Sequence, residues 1–171
     1  NVQALVDAGS PHASAVLRSL TAYLRAAVPL LHEPAATIER ELQLVRPYLE
    51  LMQMRMPDRL QYAINADPSA LTVRCPPTTL LTLVENAVRH GIDPSEEGGR
   101  IDVDIARLGE RCVVRVADTG AGLHHSANGL GTGLSTLRER LQLIFGDAAH
   151  LRLIAGAPRG LVAEVDMPAH T

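Results

Sequence analysis

Aromatic residues are scarce: three tyrosines, one phenylalanine and no tryptophan in 171 residues. Nucleic-acid binding draws on stacking rings and basic patches, and neither is prominent in a chain of net charge −3 with neutral histidines. No apolar run approaches the ~18 residues of a membrane span, and no signal-peptide pattern is visible. Only two cysteines occur, Cys75 and Cys112, without metal-ligand spacing. Buried, reduced thiols are the simple expectation. No Gly-x-x-x-x-Gly-Lys-Ser/Thr is present, which excludes a P-loop, and Gly129-x-Gly131-x-Gly133 is not the dinucleotide pattern. No internal repeat or serine–histidine–aspartate order stands out. What remains is a 46% apolar chain, able to bury a core as one domain or as one domain with an appendage. It begins with Asn rather than Met, so a piece of a longer protein is expected.

Two stretches carry most of the information. The first is a helix expected over Pro77–Gly91, with prolines at its start and glycine just past its end. At 100° per residue, Leu80, Leu81, Leu83, Val84, Ala87 and Val88 share one face. Thr82, Glu85, Asn86, Arg89 and His90 fall on the other, so an amide, a carboxylate and two basic groups point into one space. The second stretch is Asp118–Leu134, which holds five of the 13 glycines. Glycine permits φ > 0 and close approach of a ligand to the backbone. It leads into a helix over Leu134–Phe145, and free N–H groups at a helix start suit phosphate. A flexible linker is the plain alternative for the glycines taken alone. Asp118 admits two readings, an Asx turn or a carboxylate accepting from an exocyclic amine of a purine. Asn86 is either a surface amide or an oxygen ligand to Mg²⁺, which prefers few protein ligands plus phosphate and water. His124-His125 reads as solvated loop.

In chain order, Asn1–Ala8 reads as the tail of a helix ended by Gly9, and a second helix runs from Ser10-Pro11 to about Val28. Thr37 caps a third, reaching about Met56, with Glu39 and Glu41 favourable near its positive end and Pro47 a kink. Leu42, Val45, Leu49, Leu51 and Met52 give this pair more apolar surface than it can hide, which suggests a partner such as a second copy. Beyond Pro57, alternation predicts strands at Leu60–Ile64, Ile101–Ile105, Cys112–Val116, Leu151–Ile154 and Leu161–Met167, with a hairpin at Gly109. The order points to an α+β, two-layer α/β sandwich.

Taken together, Glu85-Asn86-Ala87-x-Arg89-His90-Gly91, Asp118-x-Gly120-x-Gly122 and Gly129-x-Gly131-x-Gly133-Leu134 resemble the N, G1 and G2 boxes of the GHKL ATP-binding fold. More narrowly, the chain resembles LytS-type sensor histidine kinases of two-component systems. Val45-x-x-Tyr48-Leu49, Arg55-x-x-x-Arg59-Leu60, Pro76-Pro77 and Leu137-x-Glu139-Arg140-Leu141 match as well. The resemblance implies a Bergerat-type fold, a mixed and mainly antiparallel sheet with helices on one face. It implies a helical dimerisation segment over residues 1–57 and a catalytic domain over 58–171. It also implies ATP and Mg²⁺ as cofactors and phosphoryl transfer to a histidine for relay to a response regulator, a LytTR-type transcription factor. A homodimer through the N-terminal helices is implied too, as the cytoplasmic portion of an inner-membrane sensor.

Residue by residue, Glu85 and Asn86 would be the catalytic pair, with Asn86 holding Mg²⁺. Arg89 and His90 would contact phosphates or ribose. Asp118 would read the adenine amine, with Gly120 and Gly122 beside the base. Gly131, Thr132, Gly133 and Leu134 would cover the phosphates. Three departures bear on this. The family's phosphorylated histidine belongs to a segment expected before Asn1, and His12 reads as a surface residue. Leu161 stands where relatives often carry threonine, which removes one hydroxyl near the adenine. Thr82 stands where gyrase-like hydrolases carry a water-activating glutamate on the same helical face as the asparagine, while Glu85 is rotated about 100° from Asn86. That favours phosphoryl transfer over hydrolysis. A non-catalytic interaction module and an ATP-hydrolysing conformational switch are the rival readings.

Overall fold

A computed structural model of the chain describes residues 13–30, 35–122 and 131–170. Two helices open it, α1 (Ala13–Leu30) and α2 (Ile38–Arg55). The Thr37 hydroxyl accepts from the Arg40 N–H at 3.4 Å, so the expected cap is in place, and α2 runs unbroken through Pro47. The first N–H groups of α2 have no partners within the helix. Ile38 and Glu39 donate theirs to the carbonyls of Val73 and Leu71, both at 3.0 Å. A short ribbon of β1 (Ala36–Thr37) and β3 (Arg74–Cys75) fixes the same junction.

The main sheet has five strands in the order β2-β4-β5-β7-β6. These are β2 (Leu60–Ala66), β4 (Gly99–Leu108), β5 (Arg111–Asp118), β6 (His150–Ala155) and β7 (Leu161–Pro168). Only β2 and β4 pair in parallel, because a helix crosses over between them; the other pairs are antiparallel. Gly109, at φ +62°, turns β4 into β5. Side chains alternate as a period of two requires. Ile101, Val103, Ile105, Cys112, Val114 and Val116 are buried on one face. The other face carries charge, including Arg111–Asp166 and Arg100–Asp102. The helices cover the apolar face, so the sandwich expected from the strand order is the fold. Cys75 and Cys112 are buried and unbonded, as expected; burial pushes the Cys112 thiol up to about 11.

Three expectations need correction. The helix placed at Pro77–Gly91 starts later and ends differently: α3 spans Thr79–Asn86 and continues as a wider π turn over Ala87–Ile92. Gly91 is inside that turn instead of past its end. Thr78 precedes α3 with φ +63° and makes no side-chain cap. Glu41 fills the gap, accepting the N–H groups of Thr78 at 2.6 Å and Leu80 at 2.9 Å. It therefore serves the start of α3, not that of its own helix. The apolar stripe of α2 is not spare either. Leu42, Val45 and Leu49 lie in the same core as α3 and the sheet, and each buried leucine contributes ~2–3 kcal/mol. Exposed apolar side chains sit instead on α1, at Leu17, Leu24 and Val28. Asn1–Ala8, His12, His124-His125 and Gly129 lie outside the described residues.

Candidate functional site

Helix α4 (Thr132–Phe145) packs beside α3 with Leu134, Leu137 and Leu141 buried; Ile144, which the spacing puts on the same stripe, is exposed. Its N-cap residue, Gly131, offers no side-chain cap, and among the described residues no side chain takes the first N–H groups of the helix, which suit an anionic acceptor. That end sits close to α3. A Cβ on Gly133 would lie 3.5 Å from the Thr82 methyl, and one on Gly131 would lie 3.8 Å from His90 Nε2. Arg140, two turns along α4, donates to the Pro77 carbonyl at 2.5 Å and contacts the Thr78 hydroxyl at 3.3 Å. It fastens α4 to the start of α3.

Between these elements lies a crevice of about 620 Å³. Thr82, Glu85, Asn86, Arg89 and His90 line it from α3 and its π turn, and Gly131, Thr132, Gly133 and Leu134 from the start of α4. The polar helix face read from the sequence and the second glycine motif thus meet across one space. Leu134 belongs to the core as well as to the wall. Burial raises the Glu85 carboxyl above its ordinary value, and Arg89 partly opposes that.

Asp118, Gly120 and Gly122 do not line this crevice; they stand behind the π turn. Register explains the position of Asp118. It pairs with Ile101 and shares the core-facing side of β5 with Val114 and Val116, so the last residue of that face is a carboxylate only 5% exposed. Its Oδ1 accepts the Gly120 N–H at 2.9 Å, the Asx-type bond anticipated for Asp-Thr-Gly. Burial raises this carboxyl, against backbone N–H groups of Gly120 and Leu161 that lower it. Gly91 passes so close that a Cβ there would fall 2.5 Å from Asp118 Oδ1. On Gly120, a Cβ would fall 2.1 Å from the Gly91 carbonyl oxygen. The first glycine motif and the end of the helix therefore interlock by backbone contact.

Three lining residues escaped assignment: Tyr48, Met52 and Arg55 come from α2. Their i, i+4, i+7 spacing was a readable signal, one helical face distinct from the buried Val45–Leu49 stripe. Asp93, just past the π turn, lines the crevice too. Arg55 Nη2 donates to Asp93 Oδ1 at 2.7 Å. Arg59 Nη2 donates to the carbonyls of Ile92, Asp93 and Ser95 at 3.2, 3.0 and 2.6 Å, satisfying the end of the turn. Among the described residues no group of three His, Cys, Asp or Glu could hold a metal. A hard cation here would take the Asn86 amide oxygen and draw its other ligands from phosphate and water, which suits magnesium. The donor set fits such a group: one amide, the guanidinium of Arg89, an imidazole and free helix N–H groups.

The histidine kinase family profile matches residues 1–60. The sensor histidine kinase/phosphatase LytS of Staphylococcus aureus (strain MRSA252) is 32% identical over 88% of this chain and 28% of its own length. The sensor protein LytS of Oceanobacillus iheyensis is 26% identical over 98% of the chain and 31% of its own. Over most of its length the chain is similar to LytS-type sensor histidine kinases. It spans about 30% of the length of these curated relatives. Among solved structures, the catalytic domain of histidine kinase ThkA superposes with a TM-score of 0.61 at 17% identity, over 79% of this chain and 95% of that one. ThkA in complex with response regulator protein TrrA is similar too, with a TM-score of 0.58 at 16% identity, over 92% of this chain and 49% of that one. These likenesses establish the fold as that of histidine kinase catalytic domains. Among the described residues no helix is long and apolar enough to cross a membrane.

Proposed function

We propose that this chain is the catalytic region of a sensor histidine kinase. It binds Mg·ATP in the crevice and passes the γ-phosphoryl group to a histidine outside the described residues, for relay to a response regulator of the LytTR type. The observation that carries the reading is the joint lining of one crevice by Glu85, Asn86, Arg89 and His90 and by Gly131–Leu134, segments far apart in sequence. In this reading Asn86 holds the magnesium, and the bound metal neutralises phosphate charge. Arg89 and His90 contact phosphate or ribose oxygens. Gly131 and Gly133, with Thr132 between them, offer backbone N–H donors, and Leu134 anchors that segment in the core. Asp118, outside the crevice and behind the π turn, would accept the adenine amine of a base that reaches past that turn, with Gly120 and Gly122 keeping the base against backbone. Glu85, raised by burial, faces the same space beside Asn86 and orients the incoming imidazole through its N–H. Positioning and charge neutralisation suffice, since phosphoryl transfer asks little covalent chemistry of the protein.

Residues 1–57 form the helical dimerisation region and 58–171 the ATP-binding domain. The exposed Leu17, Leu24 and Val28 of α1 support a homodimer through those helices. ThkA, solved with a response regulator, supports the class of downstream partner. The whole protein would present this part on the cytoplasmic side of the inner membrane. An ATP-hydrolysing switch fits less well: the Thr82 hydroxyl donates to the Thr78 carbonyl at 2.7 Å and is spent within the helix, where a hydrolase needs a base. Calorimetric titration with Mg·ATP tests the proposal. The wild-type chain binds, and Asn86→Ala combined with Asp118→Ala loses at least ~100-fold in affinity, ~2.7 kcal/mol. Unimpaired binding by that double variant ends the reading, and a wild-type chain without nucleotide affinity favours a non-catalytic interaction module.

A further inference from the structure

Helix α2 forms a wall of the crevice, and what it brings there is a cation. α2 and α3 run side by side in one direction: Glu41 meets Thr78 and Leu80 at one end, and Arg55 meets Asp93 at the other. Tyr48 and Met52 lie between, and all of this face opens on the crevice. The Arg55 and Asp93 side chains are 52% and 38% exposed. A pair so wetted contributes little net stability and exchanges partners readily. Nor does the loop depend on it, because Arg59 already holds the carbonyls of Ile92, Asp93 and Ser95. The chain contains no lysine. Any side-chain cation meeting a phosphate is therefore a guanidinium or an imidazolium, and the guanidinium fork matches phosphate oxygens in a bidentate way.

We propose that Arg55 is a phosphate-binding residue of the nucleotide site, exchanging the Asp93 carboxylate for a phosphate oxygen of the bound nucleotide. The inference rests on the nucleotide reading of the crevice given above. It makes the helical segment part of the site, so that nucleotide occupancy and the seating of α2 on α3 are linked.

The sign of two substitutions decides it. Wild type, Arg55→Gln, Asp93→Asn and the double variant are titrated with Mg·ATP and with adenosine, and their thermal melts compared. If Arg55 binds phosphate, Arg55→Gln weakens ATP about ten-fold, whereas Asp93→Asn frees the guanidinium and tightens ATP about two- to five-fold. The gain is absent when Arg55 is already Gln, and adenosine affinity does not move. If the pair is only a brace, both substitutions weaken ATP together, or neither has an effect, and the proposal is overturned while the nucleotide reading stands. Should Arg55→Gln fail to fold, Arg55→Met takes its place in the cycle, because removing the Asp93 charge alone also lessens repulsion of ATP. A wild-type chain without ATP affinity would end both.

Discussion

The Glu41 carboxylate is fully buried and accepts the backbone N–H groups of Thr78 and Leu80, so a side chain of α2 supplies the cap that α3 lacks. Burial pushes its carboxyl from 4.5 up to about 7, against the N–H groups and Arg140, which lower it. A raised carboxyl means that the folded chain holds a proton which the unfolded chain has released. Glu41 then contributes stability that is present below pH ~4.5 and is lost as pH rises through about 7, at most ~3 kcal/mol over the window. Glu41→Gln keeps one acceptor and sets an NH₂ against an N–H, costing ~1–3 kcal/mol at low pH. Urea unfolding between pH 5 and 8 should show the wild-type advantage over Glu41→Gln shrinking with pH. Parallel curves would show that Glu41 does not titrate there.

Glycines that look alike in the sequence should respond oppositely to alanine. A Cβ on Gly120 meets the Gly91 carbonyl oxygen at 2.1 Å, and neither backbone can retreat. Gly120→Ala should cost at least ~2 kcal/mol, a fall of ~4 °C or more in melting temperature. Gly133 is inside α4, where a Cβ finds only the Thr82 methyl at 3.5 Å, an ordinary contact. Gly133→Ala should gain ~0.5–1 kcal/mol from helix propensity. Differential scanning calorimetry of the two variants checks the signs. Destabilisation of equal size would mean that α4 begins elsewhere.

Periodicity made much of this legible. The strand alternation located all five main strands, and the 100° projection of α3 separated Leu80, Leu81, Leu83, Val84 and Ala87 from Thr82, Glu85, Asn86, Arg89 and His90, which line the crevice; Val88, placed on the apolar face, lines it as well. The same two-residue period that buries Val114 and Val116 also turns Asp118 inward, so its burial was readable too. Contacts between distant segments were not readable. Nothing local distinguishes Glu41, which caps another helix, from Glu39, which stays on the surface. Gly91 looked like a helix stop because glycine usually is one. Here the turn widens and continues, and the absent side chain makes room for Asp118. Arg55, Arg59 and Arg140 were visible as motif positions, but their partners, Asp93 and the carbonyls of Ile92 and Pro77, follow only from tertiary packing.

Arg140 supplies the remaining test, because it acts on the junction that Glu41 holds from the other side. From α4 it donates to the Pro77 carbonyl and contacts the Thr78 hydroxyl, so α2, α3 and α4 converge on one residue at φ +63°. Arg140→Met keeps the aliphatic stem and removes the donors and the charge. The lost charge-assisted bonds should cost ~1–3 kcal/mol. The charge itself lowers the Glu41 carboxyl. Without it that carboxyl moves above about 7, and the pH at which the Glu41 contribution disappears moves up with it. In a Glu41→Gln background the same substitution should leave the pH profile unmoved, since nothing remains there to titrate. Unfolding free energies of the four variants from pH 5 to 9 give that comparison as a double-mutant cycle. A shift of equal size in both backgrounds would place the charge effect of Arg140 on another group and leave it only as the tie between α4 and α3.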